Sequence, residues 1–218
     1  MTNTDNGFAT VGFSQQVIGR LDGMNEKGLV VGLHFVNDQH REPGFIATSI
    51  VRMALEQCAD TEEAVAYIKS IPHGYCYNYS ITDQGGNNVI IEASPQNQVI
   101  HYPETLMCTN HFEAEILREK NRAEVQGSVK RREYLHSLEV DDLTPLSAYR
   151  LFNDETSPLF FQYYREYFGT LHTVVYSPEN LSVIVGVGGD FPPLEFSLKE
   201  YLQGRSRLPE KMIGKIKI

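Results

Sequence analysis

The run Arg20-Leu-Asp-Gly-Met-Asn-Glu-Lys-Gly28, leading into Leu29-Val-Val-Gly-Leu-His-Phe35, constrains this chain more than any other stretch. Asp22, Gly23 and Asn25 favour tight turns, and Gly28 permits a positive φ. The apolar residues that follow read as a strand covered on both faces, so a polar turn delivers a core strand. On turn chemistry alone the segment is one hairpin of a sheet.

The period of the apolar residues changes along the chain. Gly7 to Phe13 and Val30 to Val36 read as strands. Ile46, Ile50, Val51, Ala54, Leu55 and Cys58 recur at helical spacing between Phe45 and Cys58, which sets one helix face against a sheet. Asp60 with Glu63 makes a capping pair for a second helix that ends at Pro72. Strands follow at Tyr75 to Thr82, Val89 to Ala93, Val99 to Tyr102 and Leu106 to Asn110, an antiparallel meander in its simplest account. Glu113 to Arg122, Ser128 to Leu138 and Leu146 to Asn153 read as helices, and Phe160 to Phe168 as helical or extended. Thr170 to Tyr176 and Leu181 to Val187 return to strand around the turn Ser177 to Asn180. This order establishes an α+β chain and accords with two antiparallel sheets between helical layers.

No repeat, low-complexity tract or linker divides the sequence, so a single domain over 1–218 is expected, with a basic tail at 205–218. At 218 residues and 41% hydrophobic the chain can bury a sizeable core. A net charge of -9 sets nucleic acid aside as a partner, since phosphate binding needs clustered Lys and Arg. No run of about 18 apolar residues occurs, so no membrane span is indicated, and the polar start lacks the apolar core of a secretion signal. Three cysteines without paired spacing fit a reducing interior, and a cytoplasmic location is expected.

Asp-Gly-Met-Asn-Glu-Lys-Gly before an apolar strand resembles the signature of the choloylglycine hydrolase and penicillin acylase relatives within the N-terminal-nucleophile hydrolases, a group that includes the isopenicillin-N acyltransferases. Met107-Cys-Thr-Asn-His-Phe112 and Gly169-Thr-Leu-His-Thr-Val-Val-Tyr-Ser-Pro178 resemble later strands of the same family in the same order. The resemblance runs from about Phe8 to about Tyr201. It implies a four-layer α/β/β/α sandwich with antiparallel sheets, and cleavage or transfer at a linear amide C–N bond of a small-molecule substrate, without a cofactor. Relatives with this signature act on bile-salt conjugates, penicillins, acyl homoserine lactones and peptide-like amides.

The resemblance also implies a cysteine at a free amino terminus whose own amine, with a pKa near 8, takes the thiol proton. Here the chain begins Met1-Thr-Asn-Thr and its first cysteine is Cys58. The expectation is an amino-terminally truncated member whose nucleophile segment lies elsewhere. The alternative is a catalytically inactive derivative that binds a ligand or partner. Lost early strands would expose sheet edge, so self-association into a homo-oligomer is expected.

For the site, the resemblance gives Asn110 the role of an oxyanion donor at a strand end, where an asparagine otherwise serves as a turn former. His34 stands where relatives often carry asparagine, either as a second oxyanion or substrate contact or as a core histidine satisfied by a carbonyl. Arg131, three residues after Ser128, resembles an element that anchors the active-site network or a substrate carboxylate. The run Lys130-Arg-Arg132 leaves that register ambiguous, and a solvated basic face explains it equally. Asn25 reads as structural. Cys108, His111 and His172 lack metal-ligand spacing, so no metal is assigned. Cys58 and Cys76 read as buried hydrophobes, and Cys108 with His111 as a substitute nucleophile would need the strand to break at Asn110. Tyr75, Tyr77, Tyr79, Tyr163, Tyr164 and Phe168 line an acyl pocket or belong to plain core.

Overall fold

The computed structural model describes residues 2–4, 7–14, 17–139 and 143–216. The last two residues of the basic tail therefore lie outside the described residues. The chain divides into two compact units, Met1–His136 and Ser137–Ile218.

The first unit is built on a seven-stranded antiparallel sheet in sequence order, from β1 (Thr2–Thr4) and β2 (Gly7–Val11) through β3 (Asp22–Asn25), β4 (Val30–Asn37), β5 (Cys76–Thr82), β6 (Asn88–Ala93) and β7 (Gln98–His101). Two helices, α1 (Ala47–Gln57) and α2 (Thr61–Ser70), cover one face. Helix α1 buries Ile50, Val51, Ala54 and Leu55 against Val31, Tyr79, Ile81 and Ile91 of the sheet and Leu29 just before β4. Each large side chain so buried stabilises the unit by about 1.5–3 kcal/mol. Helix α2 starts as the capping pair requires: the Asp60 carboxylate accepts from Glu63 N at 2.9 Å, while Glu63 Oε2 accepts from Ala59 N at 2.7 Å.

Three sequence expectations are corrected here. Asp22 to Asn25, read as a turn, is strand β3, because β2 and β4 flank it and pair with it on both sides. Those pairings outweigh the turn preference of its residues, and the turn moves to residues 26–28, where Gly28 takes φ 83°. Residues 106–110, read as a strand, have no ladder partner and run irregularly. Side chains from the sheet meet their backbone groups instead, as described below. The segment read as a helix from Glu113 is a 3-10 turn over Glu115–Lys120.

In the second unit a three-stranded antiparallel sheet of β8 (His172–Ser177), β9 (Ser182–Val187) and β10 (Leu194–Ser197) has β9 at its centre. Helix α4 (Pro145–Asn153) packs on it, after α3 (Gln126–His136) of the first unit has closed that unit. Thr144 caps α4 by accepting from Ser147 N, and Pro145 takes the first turn, where its missing N–H costs nothing. Asn153, buried at the end of α4, donates to Thr173 Oγ1 and Gly188 O and accepts from Phe191 N. Residues 160–171 form a loop closed between Phe161 and Thr170, with a short 3-10 turn at Tyr164–Glu166. A final short helix, α5 (Leu198–Leu202), starts at the Ser197 cap. Among the described residues no helix is long and apolar enough to cross a membrane.

Candidate active site

Side chains alternate across a strand, so the residues of β4, β5 and β6 that do not face α1 and α2 share the opposite face. Beside apolar residues such as Ile90 and Cys76, that face carries a polar set: His34 on β4, Asn78 and Ser80 on β5, and Glu92 on β6, with Asp22 of β3 in register with Gly32. This face is where the site is built.

The segment 109–114 hangs from that face by side chains. Asn78 Nδ2 donates to the carbonyls of Thr109 at 3.0 Å and His111 at 2.8 Å. The buried Glu92 carboxylate accepts from Glu113 N at 2.9 Å and Ala114 N at 3.0 Å. Asn121 holds Phe112 from the other side, accepting from its N–H and donating to its carbonyl. With its donors and acceptors met in this way the segment has no need of a strand ladder.

Asn110 lies at the centre of this arrangement. Its N–H donates to Ser128 Oγ at 2.7 Å, and Ser128 sits in the first turn of α3, 1% exposed. Ser128 Oγ is also 2.9 Å from His111 Nδ1. The Asn110 side chain donates from Nδ2 to Phe35 O at 3.0 Å and accepts at Oδ1 from Arg131 Nη2, also at 3.0 Å. Arg131 Nη1 donates to Gly127 O. Arg132, the neighbouring alternative, pairs with Glu113 instead. The structure therefore brings Asn110 and Arg131 into direct contact.

His34 Nε2 lies 2.9 Å from Ser80 Oγ. Burial pushes its pKa down to about 4, aided by the charge of Arg131 and opposed by that of Asp22. Burial and then the nearby Arg122 bring Arg131 down to about 10. Asn25 has a purely architectural place: its amide donates to Leu55 O and Cys58 O at the end of α1 and accepts from Lys27 N and Leu29 N.

None of the three cysteines is an activated thiol. Burial pushes Cys58 up to about 12 and also raises Cys76 and Cys108. His111 Nδ1 is taken up by Ser128 and Thr109 Oγ1. Of the aromatic residues, Tyr79 is fully buried on the helix-covered side of the first unit, whereas Tyr163 and Phe168 are exposed in the second. No group of three metal-ligating side chains occurs among the described residues.

Sequence reasoning passed over Ser80, Asn78 and Glu92. Their signal was present in the spacing: Asn78 and Ser80 stand two apart in an otherwise aromatic and apolar strand, and Glu92 interrupts Val89-Ile-Ile.

The sequence profile described as acyl-coenzyme A:6-aminopenicillanic acid acyl-transferase matches residues 1–190. The chain belongs to that family. Sequences of curated proteins give no match. Among solved structures, this family member is similar to penicillin V acylase from Agrobacterium tumefaciens, at 16% identity over 84% of this chain and 67% of the other, with TM-score 0.54. It is also similar to a variant of conjugated bile acid hydrolase from Clostridium perfringens, at 11% identity over 88% of this chain and 78% of the other, with TM-score 0.59. The acyl-transferase family member thus has the N-terminal-nucleophile hydrolase fold, a mixed α and β architecture with antiparallel sheets.

Proposed function

We propose that this chain carries the oxyanion-holding part of an enzyme that hydrolyses, or transfers the acyl group of, a linear small-molecule amide. The observation that carries the reading is Asn110. Its side-chain amide is fixed at both ends, by Phe35 O and by Arg131, and only one of its two amide hydrogens is engaged by Phe35. The other is held ready for charge developing on a substrate carbonyl, and a donor fixed in advance stabilises that charge without reorganising. Arg131 fixes the amide from α3 and adds positive charge. His34 offers a second polar contact on the same sheet face.

The nucleophile in this reading is a cysteine other than Cys58, Cys76 and Cys108, whose thiols burial disfavours as thiolates, and it comes from a segment outside residues 1–218, whether separate or continuous with them. Three cysteines outside any disulfide accord with a cytoplasmic setting. The test is to purify the protein from its own cells with whatever travels with it and assay a panel of N-acyl amides before and after iodoacetamide. Loss of activity with alkylation at a cysteine outside this chain supports the reading. Amidase activity that survives alkylation, or that follows Cys108, overturns it. Tight binding of an amide without turnover would favour the ligand-binding derivative.

A further inference from the structure

Gly32 of β4 is flanked in register by Asp22 of β3 on one side and Ser80 of β5 on the other. His34 is two residues along β4, on the same face. A Cβ at Gly32 would stand 2.7 Å from Ser80 Oγ and 3.8 Å from His34 Nε2, so the absence of a side chain there is what lets the imidazole reach Ser80. Ser80 Oγ lies 2.9 Å from His34 Nε2 and donates to Gly32 O at 3.5 Å. In the tautomer that carries its proton on Nδ1, the imidazole accepts the Ser80 hydroxyl at the shorter distance. Asp22, Gly32, His34 and Ser80 are all partly solvent accessible.

We propose that Ser80 and His34, beside the charge of Asp22, form a second nucleophilic centre that takes acyl groups from activated esters or thioesters, independently of any cysteine. Ser80 Oγ attacks the acyl carbon while its proton passes to His34 Nε2, and the carbonyl π pair moves onto oxygen. Collapse of that adduct expels the alkoxide or thiolate, and His34 returns to neutral by giving its proton to the leaving group. Water then attacks acyl-Ser80, with His34 taking one of its protons and returning it to Ser80 Oγ as the carboxylic acid leaves and gives its remaining proton to solvent.

The neighbouring charges set the substrate class. Burial and Arg131 disfavour the imidazolium, and only Asp22 opposes them. A weakly basic histidine gives a dyad suited to leaving groups that depart as stable anions, such as aryl oxides and thiolates, and ill suited to unactivated amides.

The experiment is to treat the full chain with a fluorophosphonate, which phosphonylates a nucleophilic serine with loss of fluoride, and to map the adduct by mass spectrometry. The expected result is one adduct, on Ser80, together with a p-nitrophenyl ester acyl burst, both abolished in Ser80→Ala. His34→Gln slows labelling by ~10²-fold. Asp22→Asn moves the midpoint of the labelling pH profile downward, which a merely structural role would not do. Should Ser80→Ala fold poorly, Ser80→Cys keeps the nucleophile: iodoacetamide then modifies residue 80 faster than Cys58, Cys76 or Cys108, and His34→Gln removes the advantage. Absence of a Ser80 adduct on folded protein overturns the proposal, as does an adduct on another serine. Iodoacetamide leaves the native Ser80 reaction intact, so this centre and a cysteine-dependent amidase fail or survive separately.

Discussion

The guanidinium of Arg131 donates to Asn110 Oδ1 at 3.0 Å, and this contact decides which end of the amide carries its donors. With the oxygen committed to Arg131, the nitrogen must face Phe35 O and the space beyond. The same guanidinium lowers the proton affinity of His34. Replacing Arg131 with Gln should therefore do two separable things. The His34 imidazole, followed by NMR, should titrate at higher pH than its native value of about 4. The Asn110 side-chain amide should lose its single orientation. An unchanged His34 titration would show that Arg131 exerts no charge effect there.

Ser128→Ala removes the acceptor of Asn110 N–H and one partner of His111. The expected cost is about 1–2 kcal/mol, for one orphaned backbone donor in a partly buried place. It should appear locally, as faster hydrogen exchange at the Asn110 amide with the sheet amides of β5 and β6 unaffected. Uniform acceleration across the unit would mean that Ser128 supports the fold and not the loop.

Asn25→Ala leaves two carbonyls at the end of α1 and two turn N–H groups without partners. The unit should lose about 3 kcal/mol, read as a lower urea midpoint at unchanged slope. Asn25→Asp keeps the acceptor but buries a carboxylate facing two carbonyls, and should be worse.

Stability should fall as the medium is acidified from neutral to mildly acid. His34, His73 and His111 all have pKa values held below the ordinary 6.5, in each case first by burial. Below pH 6.5 the unfolded chain therefore binds more protons than the folded one, and each group's contribution is present above that pH and lost as the pH drops through the folded value. For His34 the window runs from 6.5 down to about 4 and its share is roughly 3 kcal/mol. Urea titrations between pH 7.5 and 5 test this above the range where carboxylates protonate. His34→Gln should flatten the slope, and a native slope of zero would refute the assignment.

Within the second unit, β8 and β10 each pair only with β9, so both outer edges of that sheet lack a strand partner among the described residues. Open edges recruit other chains. A concentration-dependent dimer is expected in light scattering coupled to size exclusion, weakened by Val174→Lys on β8. A monomer at high concentration would dispose of the idea.

Much of the first unit was legible because its signals were repeated. Ile50, Val51, Ala54 and Leu55 gave α1 its period, and Asp60 with Glu63 fixed the start of α2. Strand β3 was misread because Asp22, Gly23 and Asn25 are turn formers one at a time, and only pairing with β2 and β4 makes them a strand. Residues 106–110 were misread for the converse reason: apolar Leu106 and Met107 suggest a strand, but no strand adjoins them. Strand β10 escaped notice because Pro192 and Pro193 precede it and mark a break. At the candidate site, Asn110 and Arg131 were picked out through a family pattern, not from their spacing. Their contact joins residues far apart in sequence and could not be read from either alone.

The suspension of residues 109–114 from Asn78, Glu92 and Asn121 has an engineering consequence. The anchors belong to other elements, and between His101 and Cys108 the chain is tied at Glu104 O, which accepts from Asn88 Nδ2. Grafts of different length between Glu104 and Cys108 should therefore leave residues 109–114 in place.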